Sequence, residues 1–566
     1  MKILNKIKKL IKSYGLDAYI IPKNDEFFAE YAFPNRLETV TNFSGSAGFS
    51  IISRSENLLF VDGRYSIQSK MQSGKNFKII EIPYTYPKDM LDTNKYKKIG
   101  YDPKLFTSLT LKNYFGYKFK LIPININFVD TIFLEKEKKP NFFFKLDDNI
   151  VGESVKSKIN RLYKILKKNK SDSIFVSSPE NVAWLLNIRG KDNPNSPIPN
   201  ARVIIDKKKN IYFFSKLEKI KIVKNKINYK KIKFYSFNKI FDILSKLDKS
   251  NFTIDKLTCS IFYQSLIESR FIISNFEDPI YYLKSIKNKV EIQNMIKTHI
   301  KDGAALTKFL YWIKQEKNFG FDELSLEKKL ENFRKKDKDY IYPSFNTIAG
   351  SGPNSAIIHY RSSKKTNRKI KKNDIFLCDS GGQYKYGTTD VTRTVCFKKP
   401  PIRIKNIFTR VLKGHIAVAT NDLKLINKGY LIDKKARASL NKVNLDYGHG
   451  TGHGVGFFSN VHEGPQSISK FNSVELKEGM IVSNEPGYYE EGKFGIRIEN
   501  LVYVKKNKKK LNFKNLTMAP IDKDLINEKL LSRKEKDYLL KYNLEVYNNI
   551  SKFLNKSEKS WLLQLI

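Results

Sequence analysis

The chain has six histidines, His299, His359, His415, His449, His453 and His462, few enough to weigh one by one. Three of them fall inside Tyr447-Gly-His-Gly-Thr-Gly-His-Gly-Val-Gly456 and Val461-His-Glu-Gly-Pro465. Glycine at every second position rules out a stable helix, so the first string is a turn or strand whose backbone crowds closely against something. Upstream, Ile375-Phe-Leu-Cys-Asp379 reads as a strand ending in a carboxylate, and Thr388 to Phe397 as a β-branched strand. If these form a hairpin centred on Tyr384 and Lys385, Asp379 and Asp390 stand directly opposite each other. Glu485 and Glu499 are likewise symmetric about Gly492. Facing carboxylates repel unless a cation lies between them.

Four carboxylates and one imidazole make five ligands, enough for two divalent ions about 3.5–4 Å apart. A donor set rich in oxygen and free of thiolate suits Mn²⁺ or Fe²⁺ better than a tetrahedral structural zinc. The four negative charges balance two divalent ions, and a hydroxide between them would be the nucleophile. Other candidates carry less. His299 and His415 lie on helical, apolar stretches and read as helix residues. Trp184 and Trp312 read as core aromatics. Pleat alternation turns Cys378 away from the face of Asp379. His462-Glu463 is not a zincin signature, because Gln466 stands where the second histidine would be.

These residues must be carried by a large scaffold, and 566 residues amount to several domains. A weak repeat appears in the first half. Asp17-Ala-Tyr-Ile-Ile-Pro22, Asn42-Phe-Ser-Gly45, Phe49–Ile52 and Leu58–Val61 find counterparts in Ser173–Val176, Trp184–Gly190, Arg202–Ile205 and Ile211–Phe214. Two similar α/β domains are the simplest explanation. The charged stretch Glu135-Lys-Glu-Lys-Lys-Pro140 reads as a linker, and a second boundary falls near 280–290. Beyond it Ile292, Ile296, Ile300 and Ala304 recur at helical spacing. At the N-terminus Ile3, Leu4, Ile7, Leu10 and Ile11 do the same, predicting a surface helix and not a cleaved leader.

The 104 Lys and Arg against 57 Asp and Glu give a net charge of +47. Only 16 are Arg, and the Lys are spread along the chain. Phosphate and guanine recognition favours the bidentate guanidinium, so the charge reads as a soluble surface and no nucleic-acid partner is expected. Between 440 and 500 the balance reverses, with five basic and eight acidic residues. Three cysteines are too few for a disulfide framework, and no apolar run approaches a spanning helix, so a cytoplasmic protein without a membrane partner is expected.

The strings Asp-Ser-Gly…Thr-Thr-Asp, His-Gly-Thr-Gly-His-Gly-Val-Gly, Val-His-Glu-Gly-Pro, Asn-Glu-Pro-Gly-Tyr-Tyr and Gly-Ile-Arg-Ile-Glu-Asn resemble Xaa-Pro aminopeptidase (aminopeptidase P) in its three-domain form. Leu59–Tyr65, Ala183–Gly190, His299–Asp302, Gly352–Tyr360 and Leu516–Ile521 extend the likeness along the chain. The resemblance implies an α/β (α+β) fold of two creatinase-like domains, 1–135 and 145–285, and a pita-bread metallopeptidase domain, 290–505. A C-terminal extension, 506–566, would pack on the last. It implies hydrolysis of the first peptide bond of peptides with proline second. Asp379, Asp390, His453, Glu485 and Glu499 would hold two divalent ions, Mn²⁺ by expectation, with Glu485 also the base. His359 and His462 would contact the substrate carbonyl and oxyanion, His453 would border the substrate, and His449 would line the pocket or shuttle a proton. Arg497 would orient a ligand carboxylate. Arg64 would touch the peptide or close the turn after Val61. A homodimer is implied by the same likeness. A prolidase-like dipeptidase and a catalytically silent scaffold are the competing readings.

Overall fold

The computed structural model describes residues 2–31, 33–133, 141–274, 276–315, 320–508 and 510–566. The expected linker at Glu135–Pro140 lies outside these described residues. The chain divides into two compact units, Met1–Leu283 and Lys284–Ile566.

The first unit holds two six-stranded sheets. Strands β1 (Ala18–Pro22), β2 (Phe49–Ser53), β3 (Asn57–Asp62), β4 (Lys78–Ile82), β5 (Lys98–Tyr101) and β6 (Lys120–Pro123) lie in the order β4-β3-β2-β1-β5-β6. Strands β7 (Ser173–Val176), β8 (Arg202–Ile205), β9 (Ile211–Phe214), β10 (Ile232–Tyr235), β11 (Asn251–Ile254) and β12 (Ile272–Ser274) repeat it as β10-β9-β8-β7-β11-β12. Both sheets are antiparallel across the first three strands in sequence and parallel elsewhere. Equivalent strands start 155 positions apart at one end (18 and 173) and 152 at the other (120 and 272). The repeat seen in sequence is therefore one of topology. Asn42 and Asn187, 145 positions apart, each follow a helix in the left-handed region, with φ of 62° and 54°. Alternate residues of β1 serve different cores, Tyr19 and Ile21 on one face and Ala18 and Ile20 on the other, so the sheet is covered on both sides. The N-terminal helix α1 (Lys2–Ser13) buries Leu4, Ile7 and Ile11 on the first of these faces, as its spacing predicts.

The second unit opens with helix α2 (Lys289–Ile313), whose N-terminus is closed by a capping box between Asn288 and Glu291. The Ile292-Ile296-Ile300 row is only half-buried. The buried stripe lies beside it, through Met295, His299 and Asp302. Helices α3 (Glu323–Arg334), α4 (Ile402–Ala419) and α5 (Gly429–Asn441) follow, with α6 (Arg533–Ile550) and α7 (Lys556–Leu563) at the C-terminus. Tyr542, Val546, Ile550 and Leu562 of the last two share a core with Phe408, Leu412 and Ile496. Three strands, β13 (Ile348–Ser351), β14 (Ile375–Ser380) and β15 (Val391–Cys396), form one sheet. Five more, β16 (Gly452–Gly454), β17 (Glu463–Ile468), β18 (Ile481–Asn484), β21 (Asn500–Asn507) and β22 (Lys510–Asn515), form another in the order β17-β16-β18-β21-β22. The hairpin β19 (Gly487–Glu490) and β20 (Phe494–Arg497) lies in sequence between β18 and β21. Among the described residues no helix is long and apolar enough to cross a membrane.

Candidate metal centre

Two strand pairs bring the acidic residues together. In β14 and β15 the partner of Asp379 is Thr392, not Asp390. The turn is centred between Lys385 and Tyr386, one residue later than the sequence suggests, because Tyr384 pairs with Gly387. Moving the centre by one residue moves the partner by two. Asp390 therefore stays on the same face as Thr392 and becomes the diagonal neighbour of Asp379, a separation of about 7–8 Å between backbones that leaves room for an ion.

The second pair follows its predicted symmetry. Asn484 pairs with Asn500 in one ladder and Gly487 with Arg497 in the next. Glu485 and Glu499 occupy the matched positions where the ladder is interrupted beside Pro486. The two strand pairs are stitched together at this level. The Glu499 N–H donates to the Thr392 carbonyl at 3.2 Å, and the Thr394 hydroxyl donates to the Arg497 carbonyl at 2.9 Å.

His453 enters from β16. A Cβ on Gly452 would come within 1.9 Å of the Ser483 carbonyl oxygen, and one on Gly454 within 2.1 Å of that of Glu463. The glycines let the histidine strand lie against both neighbours. His453 Nδ1–H donates to the Gly454 carbonyl at 2.9 Å, which turns Nε2 toward the acids. Nε2 lies 3.4 Å from Asp390 Oδ2 and 3.5 Å from Glu485 Oε1. Donor atoms of Asp390, His453 and Glu499 all fall within 4.8 Å of one another.

The electrostatics are those of a cation site. Burial pushes Asp379 up to about 7, opposed by Arg497 and reinforced by the charges of Asp390 and Glu485. Burial also raises Glu485 and lifts Glu499 well above the usual range. Burial alone would lower His453, but the hydrogen bond to Asp390 and the charge of Glu485 hold it up at about 9. Among the described residues Asp379 Oδ1 is buried without a hydrogen-bond partner, and Oδ2 takes the Arg497 guanidinium at 2.7 Å. Orphaned carboxylate oxygen, crowded acids and an imidazole Nε2 that holds its proton because two carboxylates face it all fit divalent cations, which would take that proton's place.

Arg497 does more than the sequence indicates. Its Nε donates to the Thr392 hydroxyl at 3.1 Å, and that hydroxyl donates to Glu499 Oε2 at 2.8 Å. One guanidinium thus orients Asp379 directly and Glu499 through Thr392. It also donates to the Tyr489 hydroxyl at 2.5 Å, which donates to His449 Nε2 at 2.9 Å. His462 lies exposed with its ring 4.2 Å from that of His453. His359 is half-buried and follows Ile358, whose carbonyl accepts from Arg497 at 3.4 Å. Arg64 belongs to the first unit and forms a two-pronged pair with Asp62, at 2.8 and 2.7 Å, which closes its own turn. His415 and His299 are fully buried helix residues.

Several supporting residues escape a sequence reading. Ser483 donates to Glu485 Oε1 at 3.0 Å and accepts the His453 N–H at 2.9 Å. Arg437 of α5, paired with Asp433, donates to the carbonyls of Tyr447 and His449 at 2.8 and 2.6 Å and so holds the glycine-rich turn. The i,i+4 spacing of Asp433 and Arg437 is the one sign of this in the sequence, and such pairs are common on surfaces. A second acidic group, Cys396, Asp522 and Asp524, already holds the Lys314 ammonium, 2.6 Å from Asp522 and 3.1 Å from Asp524.

Family models match along the chain: Creatinase/Prolidase N-terminal domain at residues 3–131 and again at 135–291, Metallopeptidase family M24 at 293–506, and the C-terminal region of peptidase M24 at 509–565. A probable Xaa-Pro aminopeptidase P of Laccaria bicolor is 37% identical across 99% of this chain and 92% of its own length. The chain belongs to the aminopeptidase P family of M24 metallopeptidases. Its fold is accordingly two creatinase-type N-terminal domains followed by the M24 catalytic domain. The aminopeptidase P likeness holds in three dimensions. The X-prolyl aminopeptidase of Caenorhabditis elegans, described as a cytosolic enzyme with a di-nuclear active site, superposes with a TM-score of 0.92 at 29% identity, covering 100% of this chain and 98% of that one. A prolidase from Thermococcus sibiricus, 27% identical with a TM-score of 0.53, covers 65% of this chain and 98% of its own.

Proposed function

We propose that this chain is a metal-dependent Xaa-Pro aminopeptidase that hydrolyses the bond between the first residue of a peptide and a proline in second place. One observation carries the reading: likeness to Xaa-Pro aminopeptidases over the full chain, with a competent donor at all five ligand positions. The prolidase reading accounts for about two thirds of the chain, and the silent-scaffold reading leaves the crowded acids without a purpose.

Asp379, Asp390, Glu485, Glu499 and His453 Nε2 would hold two divalent ions, Mn²⁺ in this proposal because four of the five donors are carboxylates. When bound, such a pair supplies Lewis acidity and a water of lowered pKa. Glu485, steadied by the Ser483 hydroxyl, takes the proton of the attacking water and passes it to the proline nitrogen. That nitrogen carries no hydrogen in the peptide and must gain one to leave. His359 and His462 donate to the scissile carbonyl oxygen as it becomes an oxyanion. His453 borders the bound peptide, and His449 lines the pocket through its bond to Tyr489. A peptide contact by Arg64 is an added role beside its turn-closing pair. The cell compartment proposed is the cytoplasm, in line with the neighbour described as cytosolic, and the assembly a homodimer. The domain bounds proposed are those read from the sequence, 1–135, 145–285, 290–505 and 506–566.

The test is turnover of purified protein with added Mn²⁺. Arg-Pro-Pro and longer peptides with proline second should lose their first residue, and Asp390→Ala should abolish this. Cleavage confined to Xaa-Pro dipeptides would favour prolidase. Uncut peptides, with RNA bound equally by parent and Asp390→Ala, would favour the scaffold.

A further inference from the structure

The ladder between β16 and β17 breaks at the histidine strand itself. Gly452 pairs with Ile468 and His453 with Ser467, but the next partner of Gly454 is Glu463, so residues 464–466 bulge out of the strand. His462 lies just beyond this break, outside the paired register. Its place beside His453 is therefore not set by the ladder.

Glu463 supplies the missing anchor. Its carboxylate accepts the Lys287 ammonium on Oε1 and lies 3.5 Å from that of Lys284 on Oε2. The side chains of Glu463, Lys284 and Lys287 are 3%, 3% and 1% exposed. Lys287 is itself fixed to the start of β18: its N–H donates to the Gly479 carbonyl at 3.0 Å, and Ile286 bridges to Met480. The same short segment thus braces both the strand leading to Glu485 and the entry of β17. Burying three charges is a poor way to gain stability, since apolar side chains of similar volume do as well or better. What the cluster provides is a fixed backbone at Glu463, and His462, the residue before it, has its ring 4.2 Å from that of His453.

We propose that Glu463, gripped by Lys287 and Lys284, is a positioning residue that fixes His462 beside His453, where its imidazole can donate to the scissile carbonyl oxygen. This rests on the role given to His462 above.

The test is a double-mutant cycle on the metal-loaded enzyme, with kcat, KM, metal content and Tm measured for each protein. His462→Ala should lower kcat by about 10²–10³-fold. Glu463→Gln should lower it by about 10- to 100-fold, the cost of a displaced catalytic group, with KM changed less than about twofold and metal content unaltered. The double variant should be no slower than His462→Ala, because a positioning residue has nothing left to position. Losses that multiply in the double variant, or a Glu463→Gln enzyme as fast as the parent, would overturn the proposal. Wild-type turnover by His462→Ala would instead remove the role of His462, and this proposal with it. Should Glu463→Gln fail to fold, the variant Lys284→Met, Lys287→Met, Glu463→Leu removes all three charges at similar volume, and the same cycle is read with it.

Discussion

Arg497 donates to Asp379 Oδ2 at 2.7 Å while Asp379 Oδ1 stays buried with no partner among the described residues. The guanidinium orients the carboxylate through one oxygen and opposes its protonation. Arg497→Lys keeps the charge but loses the fork that also reaches Thr392 and Tyr489. We expect metal affinity or kcat to fall by about 10- to 100-fold, measured by isothermal titration and steady-state kinetics. An unchanged enzyme would mean that Asp379 is oriented by something else.

Metal removal should make stability depend on pH in a definite direction. In the metal-free protein Asp379 titrates near 7, far above the ordinary 3.8, and Glu485 and Glu499 are raised as well. Between about pH 4 and 7 the folded state then binds more protons than the unfolded one, so stability falls as pH rises through that window. Bound divalent ions replace those protons. Calorimetry of chelator-treated and metal-loaded protein should show Tm curves that diverge as pH rises from 5 to 8. Parallel curves would contradict the crowded-acid site.

His415 has the opposite pH signature. Its Nδ1–H donates to the Asn484 carbonyl at 3.0 Å, and the Asn484 amide returns a bond to the His415 carbonyl at 2.9 Å. Burial, with Arg393 adding to it, drives its pKa down to about 3. The unfolded chain protonates this ring below about 6.5 and the folded one does not, so stability present above that pH is lost as pH falls toward 3. His415→Leu should cost about 1–3 kcal/mol at neutral pH, because the Asn484 carbonyl loses its donor. It should also flatten the acid limb of the stability curve. Denaturant melts at pH 5 and 7 give both quantities.

The sequence already carried much of this site, and the reasons it carried no more are physical. Facing acids are legible because like charges on one strand face need a cation, and the Glu485–Glu499 symmetry survives intact. The Asp379 register slipped by two because Tyr386 takes a left-handed φ of 76°, which no residue type announces. Since strand faces alternate, the slip left Asp390 on the correct side. The repeat in the first unit was visible as an apolar pattern, while its shared strand order needed the sheets. Arg437, Ser483, Lys287 and Glu463 act through contacts between residues up to 176 positions apart, which local spacing cannot express. His415 read as an ordinary helix residue because its partners are backbone groups of a distant strand.

If Asp379, Asp390, His453, Glu485 and Glu499 hold two divalent ions, cleavage of Xaa-Pro bonds must depend on those ions. Titrating Mn²⁺ into metal-free protein while following Arg-Pro-Pro cleavage measures this dependence. Turnover should be absent without metal, rise until it levels off at two ions per chain, and stay absent at any metal level in folded His453→Ala or Glu485→Ala. Full activity in the metal-free protein, or retained turnover in either variant, would contradict it.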